Sequence, residues 1–479
     1  MTETDVRQPS SSRTPKISHA ALLTGAQLVR AASRLLFVVV VARTLGPEQF
    51  GVYTLLLAVV EIAAVISGVG YGDFLTREAA RDERLGWGLG EQLTWLRIAY
   101  AIPLAGIALG LLGLFGYSRL VLVAAAWILL TLVPRSLTET IQGVLRGIGS
   151  YWGYISLDLA LGIVLALGAC VLLARGGEVL TVVATEVAAA TAAGMVALGI
   201  TLRLRTKDRT RFRWSALVKK SVVFNIYPIV INLYDRVDVL LLSKLAGDYA
   251  TGVYGAAYRP LGAVQILPYG VLYSLLPALS RGNWRAGESE RLERAMGLLL
   301  SAAFVIVLIT MSFADPIVRL LLGARFGEAS GAMKILIWAV ILRYLNYALS
   351  IGLLAAKRER VFIVSSSVCL VVNFIGNLIF IPMFSWRAAA VLTIITELVV
   401  LIMNLYWLRQ ITGTIQAPRG WARISLVFAI LQVAALAGAK LVSPPLVGSA
   451  CILFFLIYLC GTGMAGEFAA AWRERSTEV

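Results

Sequence analysis

The 479-residue sequence predicts an all-α polytopic membrane protein: about fourteen transmembrane helices, arranged as two six-helix lobes followed by a C-terminal pair. Three observations carry that prediction. First, 59% of the residues are apolar and only 15% are charged, whereas a soluble globular chain sits near half and a quarter. Second, apolar runs of about 18 or more residues recur along the whole length, without the period-two alternation of strands. The bilayer core offers backbone groups no water, so such runs must satisfy their amides within helices. Third, basic residues punctuate the runs, so the net charge of +16 argues for a lipid surface and against a nucleic-acid partner.

Taken in order, the chain opens on a polar tail, Met1 to Lys16, rich in Ser, Pro and Arg and expected to be disordered. The apolar segment after it lacks a small-residue cleavage site, so it reads as a permanent first span and not as a signal peptide. The N-lobe (17–203) then holds spans at about 19–42, 52–75, 91–115, 119–142, 153–174 and 179–202. A basic linker (204–218) leads to the C-lobe (219–410), with spans at about 219–243, 254–279, 296–322, 333–355, 360–383 and 388–408. The C-terminal region (411–472) adds spans at about 423–441 and 446–470, before a short tail (473–479).

Orientation follows from the basic residues. The tails and the loops after even-numbered spans hold 27 of the 43 Lys and Arg residues. Loops after odd-numbered spans hold 10, with Arg43, Lys244 and Arg259 among them, and six lie inside spans. Both termini are therefore expected in the cytoplasm, with the protein in the cytoplasmic membrane. The densest basic stretch, LRLRTKDRTRFRWSALVKK (Leu202 to Lys220), suits anchoring on anionic headgroups between the two halves.

The halves resemble each other. ARTLGPEQFGVY (Ala42 to Tyr53) aligns without gaps on SKLAGDYATGVY (Ser243 to Tyr254), and Thr185-Glu186 in span six has a counterpart in Thr396-Glu397 in span twelve. Each half has an even number of spans, so the repeats share one orientation and imply an axis along the membrane normal with a cavity between them.

Charges inside the membrane mark the candidate site. An ion at mid-bilayer depth costs about 2.5–3.5 kcal/mol on insertion scales, so retention implies pairing or a wet cavity. Arg30 and Arg34 are one helical turn apart, with Gln27 on the same stripe. Two like charges at that spacing repel, which either carboxylates of span two (Glu61 or Asp73) or a bound anion would relieve; guanidinium forks match phosphate oxygens. Arg97 is a further cation of this kind. Asp235, under the gap-free alignment, stands where the first half has Arg34, and it shares a helix face with Asn232, Arg236 and Asp238. That cluster suits an internal ion pair, a gate, an anion pocket or a coupling-cation site, and Pro228 in the same helix suits a local kink. Asn373 and Asn377 in span eleven are expected to hydrogen-bond between helices.

Other chemistry is not called for. The four cysteines lie in apolar segments without metal or disulfide spacing. The single histidine, His19, cannot form a proton relay alone. No Gly-Lys dipeptide occurs, so there is no Walker A loop, and GTGMAG (Gly461 to Gly466) lacks the strand-helix context of a dinucleotide fingerprint. No catalytic residue, metal or cofactor is expected.

Several of these segments resemble one family, the polysaccharide-biosynthesis branch of the multidrug/oligosaccharidyl-lipid/polysaccharide exporter superfamily. ARTLGPEQFGVYTLLLAV is similar to its stretch between spans one and two, and DRVDVLLLSKLAGDYATGVYGAAYRPL to its span seven to eight segment. ADPIVRLLLGARFGEASGAMKILIWAV, GLLAAKRERVFIV and VNFIGNLIFIPMFSWRAAAVLTIITEL resemble its later spans. The resemblance implies a V-shaped bundle that works by alternating access and flips polyprenyl-diphosphate-linked saccharides for cell-surface polymers. It implies the lipid bilayer and glycosyltransferase or polymerase partners as its company, and no enzymatic step. It also implies a role for helix-one arginines, here Arg30 and Arg34, at the substrate diphosphate. FSWRAAA departs from the family's Tyr/Phe-Gly-x-x-Gly after IP, which puts the turn there in question. The competing readings are a cation-coupled multidrug exporter of the same superfamily and a membrane saccharide polymerase or ligase; short outer loops count against the latter.

Overall fold

The computed structural model describes residues 17–68, 71–204, 213–265, 268, 279, 286–358, 360–412, 421–439 and 443–461. The centre of the basic linker, the side chain of His19 and nearly all of GTGMAG lie outside them. Helices dominate, and no strand occurs among the described residues.

Two long elements organise the molecule, and each is a pair of spans folded on itself. Helix α1 (Ile17–Ile66) breaks at Gly46, with φ 72° and ψ 177°; helix α8 (Trp214–Val264) breaks at Gly247, with φ 84° and ψ 178°. Only glycine enters that region of backbone space without steric cost. The chain must reverse at both points. Arg34 and Tyr53 bond the same carboxylate, that of Glu186. In a straight helix their Cα atoms would lie about 28 Å apart, beyond the reach of the two side chains. The contact of Asp238 with Tyr254 across Gly247 requires the same. The two glycines are equivalent in the repeat alignment. The break in α8 thus lies at Gly247, and the φ/ψ angles show none at Pro228, where the sequence allowed a kink.

The rest of the N-lobe is α2 (Tyr71–Arg81), α3 (Glu83–Leu114), α4 (Arg119–Leu129), α5 (Leu132–Gly147), α6 (Tyr151–Arg175) and α7 (Val179–Leu204). Two boundaries correct the sequence expectation. The second span does not run on to residue 75: α1 stops at Ile66, Gly68 adopts φ 128°, and α2 is a separate amphipathic helix whose Leu75 and Ala79 pack in a core with Val144 and Leu145 of α5. The fourth span is two helices that part at Leu130 and Thr131. Pro134 has no N–H to donate back to the Leu130 carbonyl, which weakens the ladder there.

The C-lobe continues with α9 (Ala286–Leu321), a 3-10 turn (Ala324–Phe326), α10 (Gly327–Ala355), α11 (Arg360–Phe384) and α12 (Trp386–Thr412). The C-terminal pair, α13 (Trp421–Gly438) and α14 (Pro444–Gly461), docks on α9. Phe304 of α9 stacks on Phe428 of α13 with centroids 4.0 Å apart. Gly448 of α14 lies so close to Ser312 of α9 that an added Cβ would sit 2.2 Å from its side chain.

Eleven stretches among the described residues are long and apolar enough to cross a membrane. One, Ala32–Ile66, holds two spans because of the reversal at Gly46. Helix α8, with Asp235, Arg236, Asp238 and Lys244 in its apolar run, is not among the eleven; it reverses at Gly247, and most of the stretch beyond Val264 lies outside the described residues. Eleven such stretches, one of them double, are roughly consistent with about fourteen spans. Leu114, Trp152, Leu320 and Met383, each at least 68% exposed, present the outward apolar surface that lipid requires.

The FSWRAAA departure is resolved locally. Ser385, between α11 and α12, adopts φ 53°, the left-handed conformation that a glycine takes without cost. Ser385→Gly is therefore expected to raise stability by on the order of 1 kcal/mol. Thermal unfolding in detergent checks this: a higher midpoint is the expected result, and a lower one would show that the turn is not strained.

Candidate functional site

The charges of the apolar interior fall into three groups, and the structure assigns each a neighbourhood. In the N-lobe, Arg34 donates from Nη1 to both oxygens of Glu186, at 2.6 and 2.8 Å, and the Tyr53 hydroxyl donates to the same carboxylate at 2.5 Å. Glu186 is 3% exposed. Arg30, one turn away, meets Asp158 at 3.4 Å, and Gln142 donates to the same oxygen at 3.0 Å. These ties join α1 to α6 and α7. The described carboxylate partners are thus Asp158 and Glu186, and not Glu61; the side chain of Asp73, like that of Gln27, lies outside the described residues. The expected repulsion between the two arginines is relieved within the lobe.

Arg97 is buried in α3 and pairs with Glu139 of α5, with Thr140 at 3.4 Å. It is an internal tie between two helices of one lobe and does not line the space between lobes. The expectation placed it at a ligand; here the guanidinium is 3% exposed, paired with Glu139, and absent from the lining of the interlobe cavity.

In the C-lobe, Arg343 of α10 donates to Glu397 at 2.7 Å and to the Tyr258 hydroxyl at 3.3 Å, and it lies 3.8 Å from Asp235. Asn346 donates to the other Glu397 oxygen at 2.9 Å. Asp238, nearly fully buried, accepts from the Val239 amide at 2.7 Å and from the Tyr254 hydroxyl, which also meets Thr393 at 3.2 Å. Asn232 leaves its buried carbonyl oxygen without a partner. Asn373 and Asn377 bond each other along α11 at 2.6 Å, so this expected interhelical contact is instead made within one helix. The repeat is visible here: each lobe buries the glutamate of its Thr-Glu pair against an arginine.

The third group lies between the lobes. Arg236 of α8 meets Glu61 of α1 at 2.6 Å, a direct ion pair from one lobe to the other. Beside it is a cavity of about 210 Å³ lined by Thr54 from the N-lobe and by Asp235, Arg236, Asp238, Arg259 and Arg343 from the C-lobe. Arg259 differs from its neighbours. It is half-buried, within electrostatic range of Tyr53, Glu61, Arg34 and Arg236, and has no hydrogen bond or ion pair among the described residues. A guanidinium with its fork open beside other cations has the donor geometry that matches the oxygens of an anion. Counting Arg259 with the loop cations missed it. The available signal was its position five residues past the Gly-Val-Tyr motif, within the predicted eighth span.

Comparison with known proteins places this architecture. The family described as polysaccharide biosynthesis protein matches residues 18–283, more than half of the chain. A relative described as a probable low-salt glycan biosynthesis flippase, Agl15 of Haloferax volcanii, is 23% identical over 409 residues, covering 80% of this chain and 82% of that protein. Among solved structures, the lipid II flippase MurJ in an inward closed conformation superposes with a TM-score of 0.71 at 15% identity, covering 92% of this chain and 99% of that one. An inward-facing multidrug-resistance transporter of the MATE family gives 0.63 at 15% identity, covering 82% and 98%.

Proposed function

This chain belongs to the polysaccharide biosynthesis protein family, and from that premise we propose that it is a flippase for polyprenyl-diphosphate-linked oligosaccharide. The observation that carries the reading is Arg259, a guanidinium without a hydrogen bond or ion pair among the described residues, in a charged cavity between two lobes. The diphosphate would sit against Arg259, with the sugars in the cavity and the prenyl chain left in lipid. Arg30, 43% exposed and held by Asp158 at one nitrogen, offers a second guanidinium edge to the anion. Arg34 acts through Glu186 and Tyr53, fixing the wall behind the site. The Glu61–Arg236 pair ties the lobes beside the cavity and serves as a gate that must open for the headgroup to pass.

Lobe rocking then exposes the headgroup on the far side; no bond is made or broken. Asp235 and Asp238, with Asn232 next to them, supply the oxygens for a coupling cation or respond to the gate. The Lys/Arg bias supports a cytoplasmic-membrane location with both termini inside. Glycosyltransferases that build the lipid-linked saccharide are the expected partners upstream.

The same two carboxylates favour a second reading, export of cationic drugs, since both line the cavity. Proteoliposomes separate the two. Translocation of a fluorescent polyprenyl-diphosphate saccharide, with no uptake of ethidium, is the expected outcome; ethidium transport without lipid translocation would transfer the assignment to the drug exporter.

A further inference from the structure

The repeated ARTLGPEQFGVY and SKLAGDYATGVY segments do more than turn the chain. Arg43, just before Gly46, donates from Nε to the Leu321 carbonyl at 3.0 Å and from Nη2 to the Leu320 carbonyl. These are the last carbonyls of α9, in the opposite lobe. Lys244, just before Gly247, donates to the carbonyl of Phe115, which follows the last residue of α3, again in the opposite lobe, and stands 5.6 Å from the ring centroid of Tyr117. Arg43 and Lys244 are equivalent in the repeat. Each lobe therefore caps a helix of the other, with a cation placed on carbonyls that no further turn of helix satisfies, at the negative end of the helix dipole.

Between the two caps the backbones touch, and the contact is also reciprocal. A Cβ on Gly51 would lie 1.8 Å from the Asp248 carbonyl oxygen; a Cβ on Gly252 would lie 1.8 Å from the Pro47 carbonyl oxygen. Gly51 and Gly252 are equivalent, as are Pro47 and Asp248. Thr54 and Gly255 continue the crossing, and Phe50 meets Phe326 edge-on at 5.7 Å. No side chain stands between the two backbones, so this end of the cavity is shut.

We propose that Arg43 and Lys244 are reciprocal latches that hold the Gly51/Gly252 crossing shut on the extracytoplasmic side, and that both must let go for the cavity to open outward. Both cations are exposed, so water competes for each bond and the latch is reversible. The assignment of the side rests on the topology stated under Proposed function; the latch itself rests on the contacts.

Thiol accessibility tests it. With Cys170, Cys369, Cys451 and Cys460 replaced by serine or alanine, Thr54→Cys places a reporter where the crossing meets the cavity wall. A membrane-impermeant maleimide is applied to sealed vesicles of each orientation. Arg43→Gln and Lys244→Gln should each raise labelling from outside several-fold and the double variant by about ten-fold, the size of effect that weakening closure by one factor of ten in population produces. Arg43→Lys and Lys244→Arg should keep the slow rate. An unchanged rate on both faces in the double variant overturns the latch. A rise confined to the cytoplasmic face keeps the latch and overturns the topology. Should the double variant fail to accumulate, the Phe115→Cys/Lys244→Cys pair joined by a short bis-maleimide supplies the converse test: translocation must stop, and continued translocation refutes the proposal.

Discussion

Arg259→Ala is expected to slow translocation of a polyprenyl-diphosphate saccharide by roughly ten- to a hundred-fold while leaving the folded protein intact. A hydrogen bond to a charged group contributes about 1.5–3 kcal/mol, and 1.4 kcal/mol corresponds to a factor of ten. The substitution should cost little stability, because this guanidinium has no hydrogen bond or ion pair to lose among the described residues. Arg259→Lys should retain part of the rate, since it keeps the charge but loses the planar fork. Initial rates in proteoliposomes, normalised to protein that elutes as a single species, measure the effect. An alanine variant with the parent's rate would remove Arg259 from the site.

The second large effect is on stability and has the opposite pattern. Glu186→Ala leaves Arg34, 29% exposed, without its carboxylate, and the cost approaches from below the value of about 3–5 kcal/mol for a fully buried pair. Replacing both partners with apolar residues of similar volume, Arg34→Met with Glu186→Leu, should recover most of that loss, because no uncompensated ion remains. Tyr53 loses its acceptor in either case, which leaves a residual deficit. Thermal unfolding of the single and double variants reads out both steps. A double variant no more stable than Glu186→Ala would show that the charges do more than neutralise each other. Together the two series test a division of roles in which Arg34 holds the wall and Arg259 faces the substrate.

The features legible in the sequence are those set by local pattern. Hydrophobic runs marked most of the spans, and the repeated ARTLGPEQFGVY and SKLAGDYATGVY segments contain Gly46 and Gly247, where α1 and α8 reverse and where only glycine takes the backbone angles without cost. The in-membrane arginines were visible as anomalies. Their partners were not: Asp158 and Glu186 lie more than a hundred residues away from Arg30 and Arg34, and no periodicity in one chain encodes which helices meet. Asp235 and Arg236 looked like a pair by proximity in sequence, yet each turns to another helix, to Arg343 and to Glu61. Arg97 looked exposed to the cavity because depth in a span does not tell which neighbour a helix presents. Arg259 was hidden by the reverse error, since a basic residue near a turn counts toward topology unless the turn ends before it. The second and fourth spans broke early for reasons written locally, in Gly68 and Pro134, that hydropathy averages over.

The account depends on the interlobe cavity recognising a diphosphate on a lipid. Binding of farnesyl diphosphate, farnesyl monophosphate and farnesol to the purified protein, compared by calorimetry for the parent and Arg259→Ala, addresses this most directly. The predicted result is a clear preference for the diphosphate that disappears in the variant. Equal binding of all three ligands, or a diphosphate preference that survives loss of Arg259, would contradict it.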